Sequence, residues 1–335
     1  MSRHLIVHST GPQVTVQDHG RPGFLAFGLS RGGAVDALAL VEGATLLGQS
    51  TAALEMAGMG GEFETDADTR IALTGAPMRA TIDGVAIAWN ASHLLPAGAR
   101  LRIGSVTAGS YGYLHLGGGI AGMPRLGSLG SHLAAGLGVR LAAGDRIGLG
   151  PDPTPDHHGM ILDPDDRFAG GLLRIVPSLQ TAFFADQALR RFETTGFHRD
   201  TRGNRMGVRI LPDGDGFQTD AGLSLVSEVV VPGDVQVPGD GVPFILLCEC
   251  QTTGGYPRIG SVLPVDLPRV AQAGPGAAFR FQFLTLAEAV DLQRTEHQRR
   301  ANLVSKLRPL FRDPRDIGDL LSYQLISGAI TGDEV

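Results

Sequence analysis

The stretch Cys250-Gln251-Thr252-Thr253-Gly254-Gly255-Tyr256-Pro257-Arg258-Ile259 gathers amide, hydroxyl, phenol and guanidinium groups around two glycines, directly after an apolar run at 244–247. A strand that delivers polar side chains into a Gly-Gly turn suits a polar small-molecule site, because glycine lets backbone N–H groups approach a ligand closely. The same residues also suit a tight turn between core strands, with Tyr256-Pro257 as ordinary turn chemistry. Three further segments add to the inventory. Gln17-Asp18-His19-Gly20-Arg21-Pro22-Gly23 places polar and charged groups beside glycines at a strand end, and Asn204-Arg205-Met206-Gly207 contributes an amide and a guanidinium. The segment 227–238 supplies Glu228 and Gln236. Asp36, after Gly32-Gly33-Ala34-Val35, puts a carboxylate at the opening of a helix, where favourable charge in the first turn would by itself account for it.

Several chemistries are excluded. The only lysine is Lys306, so the chain has no Gly-Lys-Ser/Thr phosphate loop, no Schiff-base lysine away from the C-terminal region and no Met-Lys-Met biotin attachment site. Gly117-Gly118-Gly119-Ile120-Ala121-Gly122 satisfies a Gly-x-Gly-x-x-Gly pattern, but Met123-Pro124 stands where a dinucleotide-binding helix would continue. There is no Gly-x-Ser-x-Gly elbow, and no histidines at metalloprotease spacing. Cys248 and Cys250, the only cysteines, are two apart on an expected strand, a poor zinc pair. No metal site is expected.

The elements that must position these groups are mostly strands. With 48 glycines and 20 prolines set among short Val/Ile/Leu runs, the chain reads as mainly β. Strands are expected at 14–17, 70–74, 79–83, 85–89, 101–103, 113–116, 172–176, 224–231, 244–247 and 278–283, with an Asp83-Gly84 hairpin signal. Helices are expected at about 34–47, 181–192 and 266–272, the last capped by Asp266. Thr285-Leu286-Ala287-Glu288 is a capping box that opens a charged helix, and a second helical pattern covers 314–327 with an apolar face of Ile317, Leu320, Leu321 and Leu325. At 335 residues and 43% apolar content the chain can bury one large core or two medium ones. A formal charge of −6 without a basic stripe argues against a nucleic-acid partner. The absence of a long apolar run argues against a membrane span, and with no signal-peptide core at the start the expected location is the cytoplasm.

Taken in order, 17–23, 33–36, Leu73-Thr74-Gly75-Ala76, 114–120 with Leu126-Gly127-Ser128, 204–207, 227–238 and 250–259 resemble the KipA/PxpC family. This family is also called allophanate hydrolase subunit 2, or the biotin-dependent carboxyltransferase family, and includes half of the urea carboxylase carboxyltransferase domain. The resemblance spans about residues 5–284. It implies two cyclophilin-like β-barrel subdomains, at 1–165 and 166–284, followed by a helical tail at 285–335. It also implies a KipI/PxpB-like partner and a PxpA (LamB/YcsF-like) partner, together forming an ATP-dependent 5-oxoprolinase that opens a small lactam to glutamate. ATP would be bound by the assembled complex. The carboxyltransferase alternative moves CO2 from carboxybiotin, carried in trans, to a urea- or amide-like acceptor, and a third alternative is a non-catalytic regulator of the KipI-like protein.

Carried over to this sequence, the resemblance implies that Arg21 and Arg205 hold a carboxylate or phosphate by bidentate bonds. It makes Asp36 and Glu228 acid/base groups, and Gln251, Thr252 and Thr253, with the amides of Gly254 and Gly255, an oxyanion cradle. Gln17, Asp18, Asn204, Gln236 and Tyr256 complete the expected binding set. For the charged residues a structural alternative stands beside each role: Arg205 bracing a loop, Glu228 closing an ion pair. The sequence departs from the family at three places. Tyr111 and Leu129 stand where arginines are usual, and Ala182 stands where an aspartate is usual, which points to a smaller or less anionic substrate or to a non-catalytic paralogue.

Overall fold

Turns at glycine and proline cut the chain into short strands that assemble as two layered sheets and a barrel. The computed structural model describes residues 3–49, 52–219 and 226–311. One six-stranded antiparallel sheet runs β11 (Arg146–Leu149), β1 (Arg3–Thr10), β4 (Met59–Thr65), β9 (Leu101–Val106), β6 (Met78–Ile82), β7 (Val85–Ile87). A seven-stranded antiparallel sheet runs β2 (Val14–Gln17), β3 (Ala53–Ala57), β10 (Tyr111–Leu116), β5 (Thr69–Gly75), β8 (Ala91–Leu95), β12 (Met160–Ile161), β22 (Arg308–Pro309). Alternation directs Leu5 and Val7 inward, where they meet Phe63, Leu101, Leu54, Ile71 and Leu114 in a core shared by both sheets.

Strands β5 and β10 are buried at every residue because helix α1 (Ala37–Leu47) covers the face that the core does not. Gly43 allows the close approach. A Cβ there would overlap the His115 ring, so any side chain would push α1 off the sheet.

The second half is a closed barrel, β13 (Gly170–Val176), β20 (Arg258–Val262), β17 (Asp234–Gln236), β18 (Phe244–Leu246), β15 (Gly207–Pro212), β14 (Phe197–Asn204), β21 (Ala278–Phe283). Its first and last strands lie side by side and parallel, Gly170 opposite Ala278 through Ile175 opposite Phe283, while the other barrel pairs are antiparallel. Helix α2 (Asp186–Thr194) contributes Phe192 to the barrel core, with ring centroids 4.5 Å from Phe281, 5.0 Å from Phe197 and 5.1 Å from Phe217. A small ribbon, β16 (Glu228–Val229) with β19 (Thr253–Gly254), sits beside the barrel.

The expected helix at 181–192 divides into a 3-10 turn at Thr181–Phe183 and α2, and of the strand expected at 224–231 the described residues 226–231 form strand only at Glu228–Val229. Asp266 precedes α3 (Leu267–Gln272) without capping it by its side chain, because Arg174 takes that carboxylate through its backbone N–H and Nε, both at 2.8 Å. The Thr285 capping box is present in both directions and opens α4 (Leu286–Ala301). After α4 the chain returns to the first half, where β22 pairs with β12. The helical pattern at 314–327 lies outside the described residues. No described helix is long and apolar enough to cross a membrane.

Candidate functional site

Where the halves meet, a chain of buried ionic groups crosses between them. Asp36 is fully buried: Oδ1 accepts from the Leu38 and Ala39 amides at the start of α1, and Oδ2 accepts from Arg167 Nε at 2.8 Å and Gln272 Nε2 at 2.7 Å. Arg167 also grips Glu42 with two bonds of 2.9 and 2.7 Å. Burial opposes the charge on Arg167, but Asp36 and Glu42 outweigh it and raise its pKa. With both oxygens engaged, Asp36 is geometrically a helix cap and anchor.

Arg205 occupies the equivalent position on the barrel side. It pairs with Glu55 and with Glu249 (2.9 Å), and donates to the Gly33 carbonyl at 2.6 Å. Glu55 also accepts from the Tyr113 hydroxyl at 2.6 Å and the Val35 amide at 2.9 Å. Beside this network, burial pushes the Cys248 thiol up to about 12, so it stays a neutral thiol. The side chain of Asn204 accepts from the Met206 amide at 2.8 Å, fixing the turn that carries Arg205.

The segment around Gln17 forms a polar cradle against residues 128–132. Asp18 accepts from the Gly20 amide, the Ser128 hydroxyl (2.6 Å) and the Leu129 amide (2.8 Å). Arg21, buried, donates to the carbonyls of Arg125, Ser128 and Gly130. Gln17 donates through Nε2 to Thr15 and to the Ser131 carbonyl. Three buried atoms bordering this segment have no protein partner: Gln17 Oε1, Arg21 Nη1 and His132 Nδ1. Buried polar atoms are nearly always bonded, so this segment carries an acceptor, a donor and an imidazole nitrogen that the described residues leave over. Burial lowers the pKa of His132 despite Glu249, which favours the neutral ring. Next to the cradle lies a cavity of about 320 Å³ lined by Asp18, His19, Arg31, Pro232, Cys248 and Arg300, among others.

The remaining expected residues collect at the ribbon beside the barrel. Pairing of β16 with β19 brings Glu228 opposite Gly254 and Val229 opposite Thr253. Glu228 accepts from Arg258 at 2.5 Å and from Gln180 Nε2 at 2.9 Å, and Arg258 reaches on to Asp234 at 3.2 Å. Gln251 donates to Gln236 Oε1 at 3.1 Å, while Gln236 Nε2 is buried without a partner. Gly254 lies against that nitrogen, since a Cβ there would come within 2.5 Å of it. The Thr252 carbonyl accepts from Val230, and Gly255 and the exposed Tyr256 lead into β20.

The expected set thus divides between two places, the cradle with the Arg205 network and the ribbon. Sequence reasoning passed over Gln180, Asp234 and Arg258 at the ribbon and Glu55, Arg167 and His132 at the junction. Arg258 lay within the most polar stretch of the chain; Glu55, inside the apolar run 53–57, gives no local signal. Among the described residues no group of three His, Cys, Asp or Glu side chains could hold a metal ion.

Comparison with known proteins matches this architecture. Residues 27–283 fit the model of the carboxyltransferase domain, subdomain A and B. The chain is 32% identical to the C subunit of the Escherichia coli 5-oxoprolinase over 297 residues, covering 86% of this chain and 94% of that protein. It is 24% identical over 313 residues to the urea amidolyase of Saccharomyces cerevisiae, covering 85% of this chain but 17% of that much longer one. The crystal structure of TTHA0988 superposes with a TM-score of 0.76 at 32% identity, covering 84% of this chain and 56% of that one, so the chain spans little more than half of that solved protein. The fold, the order of its segments and these likenesses together place the chain in the carboxyltransferase domain family, subdomains A and B.

Proposed function

We propose that this chain is the C subunit of a 5-oxoprolinase, which opens the lactam of 5-oxoproline to glutamate at the cost of ATP. The observation that carries this reading is the likeness to the Escherichia coli protein, which extends over nearly the whole of that protein. The cradle supports it chemically. A lactam presents a carbonyl oxygen and an N–H in one plane, and Arg21 Nη1 and Gln17 Oε1 are a free donor and a free acceptor for them. A donor at the carbonyl stabilises negative charge that develops on its oxygen as water attacks. The cradle does not fit a nucleotide: one spare guanidinium nitrogen cannot hold a triphosphate, and Lys306 lies on a separate 3-10 turn at Asn302–Lys306. In this reading ATP is bound by the assembled complex, with KipI/PxpB-like and PxpA-like subunits as partners.

Carboxyl transfer to a urea- or amide-like acceptor is the second reading, favoured by the family match and by the urea amidolyase likeness. The biotin would then be carried on another chain. Co-expression with the two partner subunits, followed by measurement of ATP-dependent glutamate release from 5-oxoproline, separates the two. Release that vanishes when this chain is left out, and that falls at least about tenfold in Arg21→Met, is expected. An intact complex that releases no glutamate but carboxylates urea from carboxybiotin would replace the first reading with the second.

A further inference from the structure

The core shared by the two halves is not closed everywhere. Val35 and Leu247 are buried in it, whereas Ala34, Leu267 and Cys248 pack against it with part of their surface still open. All five line the cavity of about 320 Å³ beside the cradle. Its walls come from three places: the segment 18–41 of the first half, the barrel half, and Arg300 near the end of α4. The volume lies at the small end for ligand cavities and suits a compact molecule with an apolar body.

The charged groups around this cavity are unevenly matched. Its lining carries two guanidiniums, Arg31 and Arg300, and one carboxylate, Asp18, in a chain whose formal charge is −6. Asp18 is filled by the Gly20 and Leu129 amides and the Ser128 hydroxyl. Arg300 donates its Nε to Glu296 at 2.7 Å, and Glu296 also takes two bonds from Arg299. Arg31 donates its Nε to the His19 carbonyl at 2.8 Å, and its two terminal nitrogens make no hydrogen bond or ion pair to any described residue. Arg31 is exposed and Arg300 half-buried, while Val35 and Leu247 are sealed, so the charge stands at the open end and the apolar wall at the closed end.

The backbone that presents Arg31 is held from several sides. The Arg31 carbonyl accepts from the Arg21 amide at 2.7 Å, the Gly32 amide donates to the Cys248 carbonyl of the barrel half at 2.9 Å, and the Ala34 amide donates to the Asp18 carbonyl at 2.8 Å. A Cβ at Gly33 would come within 2.6 Å of the Gly20 nitrogen, so the two loops are in contact. The ordering of this backbone is complete before any ligand arrives, which lowers the cost of binding.

We propose that this cavity binds a small organic acid, its apolar body against Val35, Val41, Leu247 and Leu267 and its carboxylate held by the uncommitted nitrogens of Arg31 and Arg300. In the function proposed above the acid is 5-oxoproline, and to that extent the assignment rests on that reading. Asp18 belongs both to the cradle and to the cavity wall, so the two share an edge.

The test is thermal unfolding of the full chain at neutral pH, with chloride replaced stepwise by cyclopentanecarboxylate at constant ionic strength, and with uncharged cyclopentanecarboxamide as the control. The native protein is expected to gain melting temperature with the carboxylate and not with the amide. Arg31→Met should need at least about tenfold more carboxylate for the same shift, the loss of one charge-assisted contact. Ala37→Phe, which fills the cavity from its lining without touching a charge, should lose the response. Both replaced side chains are exposed, so both variants are expected to fold. A native protein that does not respond, one that responds equally to the amide, or a response that either variant leaves intact overturns the proposal. A response to cyclopentanecarboxylate but not to 5-oxoproline, titrated in the same way, keeps the site and removes its link to the oxoprolinase reading. A chain that responds to both acids, in a complex that releases no glutamate, keeps the site while that reading fails.

Discussion

At the junction, Arg167 and Arg205 commit their donors to carboxylates and carbonyls that are themselves buried, whereas at the ribbon Arg258 shares its donors with Glu228, whose side chain is 45% exposed. The residue types are the same and the settings are not. A sealed pair has no access to a ligand, and removing one partner strands a charge in a medium that cannot solvate it. At the ribbon only Glu228 is open to water, so its side of the pair contributes little to stability and can swing to an incoming molecule, while buried Arg258 stays held by Asp234. Burial therefore separates groups that hold the two halves together from groups free to take part in chemistry.

The sharpest way to break this comparison is Glu55→Ala. It leaves Arg205 without one of its two carboxylates and takes the acceptor from Tyr113 and Val35, so a loss of about 3–5 kcal/mol is expected in chemical denaturation. A loss below about 1 kcal/mol would show that the junction is not sealed.

A second, smaller effect concerns His115, buried between β10 and α1, whose pKa burial lowers from 6.5 to about 3. Its contribution is fully present above pH 6.5 and is lost as pH falls towards 3, because the unfolded chain takes up the proton first. At pH 5 the loss amounts to about 2 kcal/mol, and His115→Gln should flatten the stability profile across that window. The ring bonds Thr74 and abuts Gly43, so the comparison is of slopes, not of absolute stabilities.

At the ribbon the expectation reverses. Glu228→Gln and Gln251→Ala should shift the unfolding midpoint by less than about 1 kcal/mol and leave complex assembly intact. Glutamate release should nevertheless fall at least about tenfold in the complex if the ribbon faces the reaction. Full turnover in both variants would reassign the ribbon to architecture and leave the cradle as the reacting region.

Local signals served the fold well. Strands at 14–17, 70–74 and 278–283 and the Thr285 capping box announce themselves through alternation and through a cap three residues from its partner, both of which are local. Asp266 shows where local signals stop, because a carboxylate before a helix reads as a cap until Arg174, 92 residues away, takes it. The site divides the same way. Gln251, Thr253 and Glu228 stand out as polar residues beside glycines, and the pairing of β16 with β19 does bring the segments of Glu228 and Thr253 together, while Gln251 is tied to Gln236 by its side chain. The union of Glu55 with Arg205, 150 residues apart, is a product of packing between the halves, and no window of sequence contains it.

The parallel contact between β13 and β21 has a mechanical meaning. The chain enters the barrel at Gly170, at one end of this pair, and leaves at Phe283, at the other. Tension applied to the flanking segments would load all the rungs of that ladder lengthwise and at once, where an antiparallel closure would open one rung at a time. The barrel should therefore resist being drawn out by an unfoldase much more stubbornly than the two-sheet half, and degradation started from either flank should pause at its border.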